Sequence, residues 1–403
     1  MTPIIEMTKG GINISKKNLL VKKGAVGIIV LFIGLSIIPS TAQNIGKGSS
    51  LSVLTGNTLY VGGSGPGNYS KIQDAIDQAN DDDTVFVYDE LSPYNETLRI
   101  NKSINLIGEN KNTTVIDGYL GQGSSIIGIL SDGVVITGFT IQRGGELYGG
   151  IAIFSNNNRI ENNYILNTIK SDVYVHNGHH HNIIRKNIIT DSKNGVLLRY
   201  ESFENDIVEN CISHCEHGIL VNGLGYTISG NILRENTYGI YVASLSENIN
   251  SITNNYLDAN QERGICIESN TSFCLVSGNT VNNSFIGITL ENGMNNTITL
   301  NTVRNCTYGI YNSNSRDNLI SKNSFTHNNC GVESPGLHNS IIQNNFMFNR
   351  RHAKFHGFPT VWDENYWNNP RDYPKIIFGS RRLYFKLPWI EFDWHPAQEP
   401  YEQ

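Results

Sequence analysis

"NILRENTYGIY", Asn231 to Tyr241, and "NTVRNCTYGIY", Asn301 to Tyr311, agree at seven of eleven positions. The frame they share is an aliphatic residue, two variable ones, Asn, one variable, then a large apolar residue. It recurs as Ile160/Asn163/Ile165, Ile184/Asn187/Ile189, Ile207/Asn210/Ile212 and Ile228/Asn231/Leu233. It continues as Ile252/Asn255/Leu257, Val276/Asn279/Val281, Ile298/Asn301/Val303, Ile320/Asn323/Phe325 and Ile342/Asn345/Met347. The steps between these asparagines are 24, 23, 21, 24, 24, 22, 22 and 22 residues. A glycine follows eight or nine residues later, at Gly195, Gly218, Gly239, Gly264, Gly287, Gly309 and Gly331, each succeeded by an aliphatic residue.

A period near 22 residues means a solenoid. Leucine-rich repeats have a similar period, but their leucine frame is missing. Within one unit, short runs of Ile, Val, Tyr and Thr are cut by Asn-Asn, Asn-Gly and Ser-Asn, which reads as strands and turns. Three short strands and three turns fill the unit, so the expected fold is all-β: a parallel β-helix whose coils stack about 4.8 Å apart. Its aliphatic columns point inward. The Asn column shares their parity and should form a buried amide ladder, since a lone buried amide is costly and a stacked row is satisfied. The Gly column marks positive φ or close approach of the next coil. Asn296, in the same turns, is expected at the surface.

Both ends need covers against edge pairing. "YSKIQDAIDQAN" puts Ile72, Ala75, Ile76 and Ala79 on one helical face, with Ser70 and Gln73 as a capping box. "TVFVYDE" follows as the first strand, and Gly108 and Gly138 fall near the Asn position of the next coils. The tail carries all four tryptophans, Trp362, Trp367, Trp389 and Trp394. They read first as an apolar cap and second as sugar-stacking rings.

Residues 1–42 differ in kind. A lysine-bearing segment ends at Lys22-Lys23, and Gly24 to Ile38 is uncharged. Ser40 and Ala42 then stand where a signal peptidase reads small residues. The segment is a signal peptide or an uncleaved membrane anchor, and both place the rest of the chain at the cell surface or outside. The expected organisation is this segment, a linker over 43–57, a β-helix over 58–350 and a C-terminal cap over 351–403.

The chain has 403 residues, a formal charge of −6 and 16% charged residues. Nothing in that balance favours nucleic acid. Six cysteines fit an oxidising compartment. Cys306 and Cys330 are the best candidates for a pair, while small buried apolar roles are the simpler reading. The N-x-S/T sequons at Asn68, Asn95, Asn101, Asn112, Asn270, Asn282, Asn295 and Asn305 are glycan acceptors or a consequence of composition.

The frame, with "NYSKIQDAIDQANDDDTVFVYDE" and "KSINLIGENKNTTVIDG" before it, resembles the NosD-type family over roughly residues 58–350. The tail "NYWNNP…YPKIIFG" is similar to the ending of archaeal members. The resemblance implies a right-handed parallel β-helix of the pectin-lyase-like fold, found on archaeal and bacterial surfaces. It also implies copper binding, carbohydrate binding or sugar hydrolysis, the activities ascribed to the family.

Copper carriers need clustered Met and Cys. The four methionines are scattered and no Cys-x-x-Cys exists, so no cofactor or metal is assigned. "HNGHHH" offers His176, His179, His180 and His181, of which His179 and His181 fall on one side as two ligands without an evident third. Four places before each Gly stand Asp191, His214, Glu235, Asn260, Asn283, Asn305 and His327. Asp191, His214 and Glu235, on successive coils, form the candidate carbohydrate site. The primary reading is a secreted or surface protein that recognises extracellular polysaccharide or envelope glycan without catalysis. Tyr238, Tyr241, Tyr308 and Tyr311 would serve ring faces. The alternatives are a polysaccharide lyase, hydrolase or epimerase working through the Asp191 column, a structural spacer or adhesin, and copper binding.

Overall fold

The computed structural model of the protein describes residues 56–402 except 120–123, 146, 244–249, 269–270, 335, 358 and 383–385. The expected signal segment and nearly all of the linker lie outside the described residues. Each coil contributes one strand to each of three faces, as in Thr227–Ser229, Ile232–Arg234 and Tyr238–Val242. Neighbouring coils pair in parallel, like over like. Ile207, Ile228 and Ile252 stack on the first face, Ile212, Leu233 and Leu257 on the second, and Ile219, Ile240 and Ile265 on the third. All nine are fully buried, so the repeated aliphatic letters build one thin continuous core.

The second face is an 11-stranded sheet; the first and third are joined into a 28-stranded sheet through a terminal antiparallel hairpin, Lys375–Arg382 and Lys386–Asp393. Parallel pairing continues past residue 350 through Arg351–His356 and Val361–Asp363. At the other end, Thr58–Val61 precedes the expected first strand and pairs with Thr84–Val87.

The asparagine column is an internal ladder. The Asn231 backbone N–H and its Nδ2 both donate to Asn255 Oδ1 at 2.9 Å, and Nδ2 also donates to the Ile207 carbonyl at 2.8 Å. The row runs from Asn163 to Asn365 and ends on Asp393 Oδ2, which accepts two bonds from Asn365 at 3.0 Å. Its member in the coil after Asn323 is Asn344, not Asn345. Asn345 instead holds the backbone of Tyr401. That coil is one residue shorter than the frame implied.

Asn296 is buried too, at 1% exposure, which corrects its expected surface position. It belongs to a second amide row, accepting from Cys274 N–H at 2.9 Å and donating to Asn318 Oδ1 at 2.8 Å. A third row includes Asn236 and Asn260, with Asn236 Nδ2 donating to Asn260 Oδ1 at 3.1 Å.

The glycine column is explained by close approach. A Cβ on Gly239 would stand 2.5 Å from the Gly264 carbonyl oxygen and 2.7 Å from Leu257 Cδ2. Asp172 occupies the place opposite Gly195 and is fully buried. Thr168 Oγ1 donates to it at 3.0 Å and Ser192 Oγ at 2.7 Å.

Helix α1 (Ile72–Gln78) buries Ile72, Ala75 and Ile76, and Ala79 follows it into the core. The Ser70/Gln73 box is not made. Glu96, from a neighbouring loop, accepts from the Ile72 and Gln73 N–H groups at 2.9 and 3.0 Å, doing the cap's work on the orphan donors. At the C-terminal end Trp362 and Trp367 are buried, with their Nε1 groups on Glu391 and Asp393. Trp389 and Trp394 are exposed.

Candidate functional site

The turn between the second and third faces holds one residue per coil at positive φ: Asp191, His214, Glu235, Ala259, Asn283, Asn305 and His327. Ala259, not Asn260, is the member in the longer coil, because Asn260 is turned inward to its ladder. The left-handed conformation suits the Asp, Asn and His residues that hold five of these seven places. The structure brings Asp191, His214 and Glu235 together. His214 Nε2 lies 2.9 Å from Glu235 Oε2, and Thr190 Oγ1 bridges Asp191 Oδ2 at 3.1 Å and His214 Nδ1 at 3.4 Å. The His214 and Glu235 side chains are 55% and 61% exposed, so this is a solvated corner without walls to exclude water. Further along the same corner, Asn283, Asn305 and His327 line an open depression of about 620 Å³.

The third face carries a richer array. Its outward positions stack as His217, Tyr238 and Arg263 in one column and Leu220, Tyr241 and Cys266 in the next. The "TYGIY" stretches put Gly and Ile inward and both tyrosines outward, so Tyr308 and Tyr311 repeat Tyr238 and Tyr241 three coils on. The His217 ring stacks on Tyr238, with centroids 5.1 Å apart, and meets Tyr241 edge-on at 5.4 Å. Glu268 accepts from Tyr241 OH and pairs with Arg263, while Glu291 lies 3.8 Å from the same guanidinium.

Burial alone would raise the Glu268 carboxyl, but hydrogen bonds from Tyr241 and Cys266 and the Arg263 charge hold it below its usual value. Burial and the Glu268 carboxylate push the Tyr241 phenol up. Burial lowers His217 and, with help from Lys193, outweighs Glu216, favouring neutral imidazole. Nearer the N-terminus the face holds Tyr148, Phe154, Tyr174 and His176, with Tyr148 and Tyr174 centroids 4.9 Å apart. Sequence reasoning named the four tyrosines but missed Arg263, Glu268 and His217. The repeat itself contained the signal, since each occupies an outward position counted from its coil's Gly.

The histidines sort differently from the expectation. His176 joins His179, and His180 Nδ1 approaches His181 Nδ1 at 2.6 Å. His181 Nε2 meets Glu204 at 2.7 Å, and His180 stacks on Phe203. His179 and His181 thus have different ring neighbours, His176 for the one and His180, Phe203 and Glu204 for the other.

With this geometry in hand, the profile of the family described as periplasmic copper-binding protein (NosD) matches residues 76–263 and 227–381. The chain belongs to the NosD family. Among solved structures it is similar to the Dettilon tailspike protein, with 16% identity, a TM-score of 0.59, and coverage of 74% of this chain and 68% of that one. It is similar also to DFA-IIIase from Arthrobacter chlorophenolicus A6, with 14% identity, a TM-score of 0.51, and coverage of 72% and 94%. At such identities the likeness shows the fold alone, the parallel β-helix of pectin-lyase-like proteins. No curated protein matches the sequence.

The described residues of this NosD chain do not fit a copper centre. Among the described residues no three His, Cys, Asp or Glu side chains converge as a metal site. All six cysteines are free and five are buried, Cys306 and Cys330 included. Burial pushes the Cys306 thiol up to about 11 and the Cys274 and Cys330 thiols up to about 12, away from the thiolate a soft metal binds. Met294 has the Arg316 guanidinium for a neighbour.

Proposed function

We propose that this NosD-family protein works outside the cytoplasm, where it binds an extended polysaccharide or envelope glycan along its third face without cleaving it. The observation that carries this reading is the repetition of two outward tyrosine pairs, Tyr238/Tyr241 and Tyr308/Tyr311, on one face three coils apart, roughly 14 Å at the coil spacing. Aromatic faces one such interval apart on one line suit sugar rings of a linear chain, and the intervening Arg263 and Glu268 suit hydroxyls. Asp191, His214 and Glu235 border this face at its corner and supply further polar contacts. Their exposure to solvent speaks for binding over acid–base chemistry, which gains most in a water-excluded site. The uncharged stretch Gly24 to Ile38 and the family's periplasmic description support the location, as a signal peptide or as an anchor.

Glycan arrays followed by calorimetry test the reading. Tyr238→Ala and Tyr311→Ala should each weaken binding roughly 2- to 10-fold, the worth of one aromatic contact. Asp191→Ala and Glu235→Ala should weaken it less, with no sugar released by any form. Steady product release abolished by Glu235→Ala would replace binding with catalysis.

A further inference from the structure

Toward the C-terminal cap the third face runs into a recess of about 530 Å³ lined by Arg351, Lys354, His356, Phe378, Ser380 and Lys386. A second recess of about 250 Å³ adjoins it, sharing Arg351 and Lys354 and adding Tyr308, Asn329, Glu333 and Arg350. Four cations, Arg350, Arg351, Lys354 and Lys386, thus face one carboxylate, Glu333, on a chain whose formal charge is −6. Glu333 is already engaged, because its Oε1 takes Lys354 Nζ at 3.3 Å and His356 Nε2 at 3.1 Å. His356 is held from its other side by Ser380 Oγ at 2.7 Å from Nδ1. Among the described residues Arg351 and Lys386 make no ion pair with an acid. Phe378, 69% exposed, stands beside these cations as an apolar wall.

We propose that this recess binds the carboxylate of an acidic sugar, so that the glycan on the third face is a uronic-acid polymer with one residue seated against Phe378 and its carboxylate on Arg351 and Lys386. The proposal rests on the glycan-binding reading and adds the substrate class. The guanidinium offers two parallel N–H donors to a carboxylate and the ammonium a point charge. The ring face of the sugar covers Phe378. Tyr308 lines the adjoining recess and belongs to the tyrosine platform, so the recess continues the same track.

Calorimetry on the full chain with hexamers of galacturonic, mannuronic and guluronic acid, and with their methyl esters, tests it. At least one acid should bind roughly tenfold or more above its ester, with an affinity that falls as salt rises. Arg351→Gln/Lys386→Gln should abolish that preference while leaving ester binding and the melting temperature in place. Equal binding of acids and esters, or a preference that survives the double substitution, overturns the proposal. If neutral glycans bind and Tyr238→Ala weakens them while no uronate does, the acidic class falls and the glycan reading stands. If neither neutral nor acidic glycan binds, both fall. Inorganic sulfate bound at Arg351 and Lys386 with no uronate binding would make the recess a plain anion site and also overturn the sugar assignment.

Discussion

Asn279 sits mid-ladder, with its N–H and Nδ2 on Asn301 Oδ1 at 2.9 Å, Nδ2 also on the Ile252 carbonyl, and its own Oδ1 taken by Asn255. Leucine has similar volume but strands the backbone N–H of Asn255 in a dry core and removes one bond each from Asn255 Nδ2 and Asn301 Oδ1, at about 1–3 kcal/mol for an unsatisfied group. Asn279→Leu should lower the denaturation midpoint, and so should Asn296→Leu in the second row. Exposed Asn112→Leu should shift stability by less than about 0.5 kcal/mol; identical midpoints for all three would show the rows contribute nothing. Asp172 gives a pH-dependent counterpart. Burial, reinforced by the Asp191 charge, raises its carboxyl well above the ordinary value against the pull of Ser192 and Thr168. With the folded value above the unfolded one near 3.9, its stabilisation is complete below about pH 4 and is lost as pH climbs through the folded value. The melting temperature of Asp172→Asn should therefore gain on the parent as pH rises from about 4 to 7. Parallel pH curves would show that Asp172 ionises normally.

At the scale of the element, the strands of the third face tolerate side chains unequally along their length. Gly239 begins the inward bulge of its strand, where the next coil's carbonyl leaves no room for a methyl group. Gly128, in strand Ser125–Ile129, points outward, and a Cβ there meets nothing closer than Ser125 Oγ at 3.5 Å. Gly239→Ala should cost about 1–3 kcal/mol through overpacking. Gly128→Ala should be neutral or should stabilise by up to about 1 kcal/mol, since alanine restricts the unfolded chain. Urea midpoints of the two variants decide the matter, and a loss at Gly128 equal to that at Gly239 would contradict it. The same contrast orders the face chemically, because the inward position is glycine from Gly195 to Gly331 and the flanking outward positions are free to carry Tyr, Arg or His.

For the molecule as a whole, each coil touches its neighbours and little else, so stability is set by interfaces between coils and by the two ends. Helix α1 closes one end under Glu96. Asp393 and the buried Trp362 and Trp367 close the other, the carboxylate taking the last ladder donors and the Trp367 indole N–H together. The hairpin that brings Asp393 also brings Phe378 and Lys386 to the third face. One segment therefore ends the core and shapes the recess at the end of the tyrosine track.

The sequence by itself determined the coil, its inward aliphatic and asparagine columns, and the convergence of Asp191, His214 and Glu235. In a solenoid a contact between coils is a contact between residues one period apart, so counting along the chain finds it. Where the period slipped by a residue, counting misplaced Asn345 for Asn344 and Asn260 for Ala259, and only the hydrogen-bonded register put them right. The placing of Arg263, Glu268 and His217 beside the tyrosines, and the second row that buries Asn296, were in the repeat and were missed, whereas tertiary structure alone decided that Glu96 caps the first helix. It alone set the hairpin against the third face. Those contacts join segments outside the repeat, and there the chain carries no periodic pattern from which to read a neighbour.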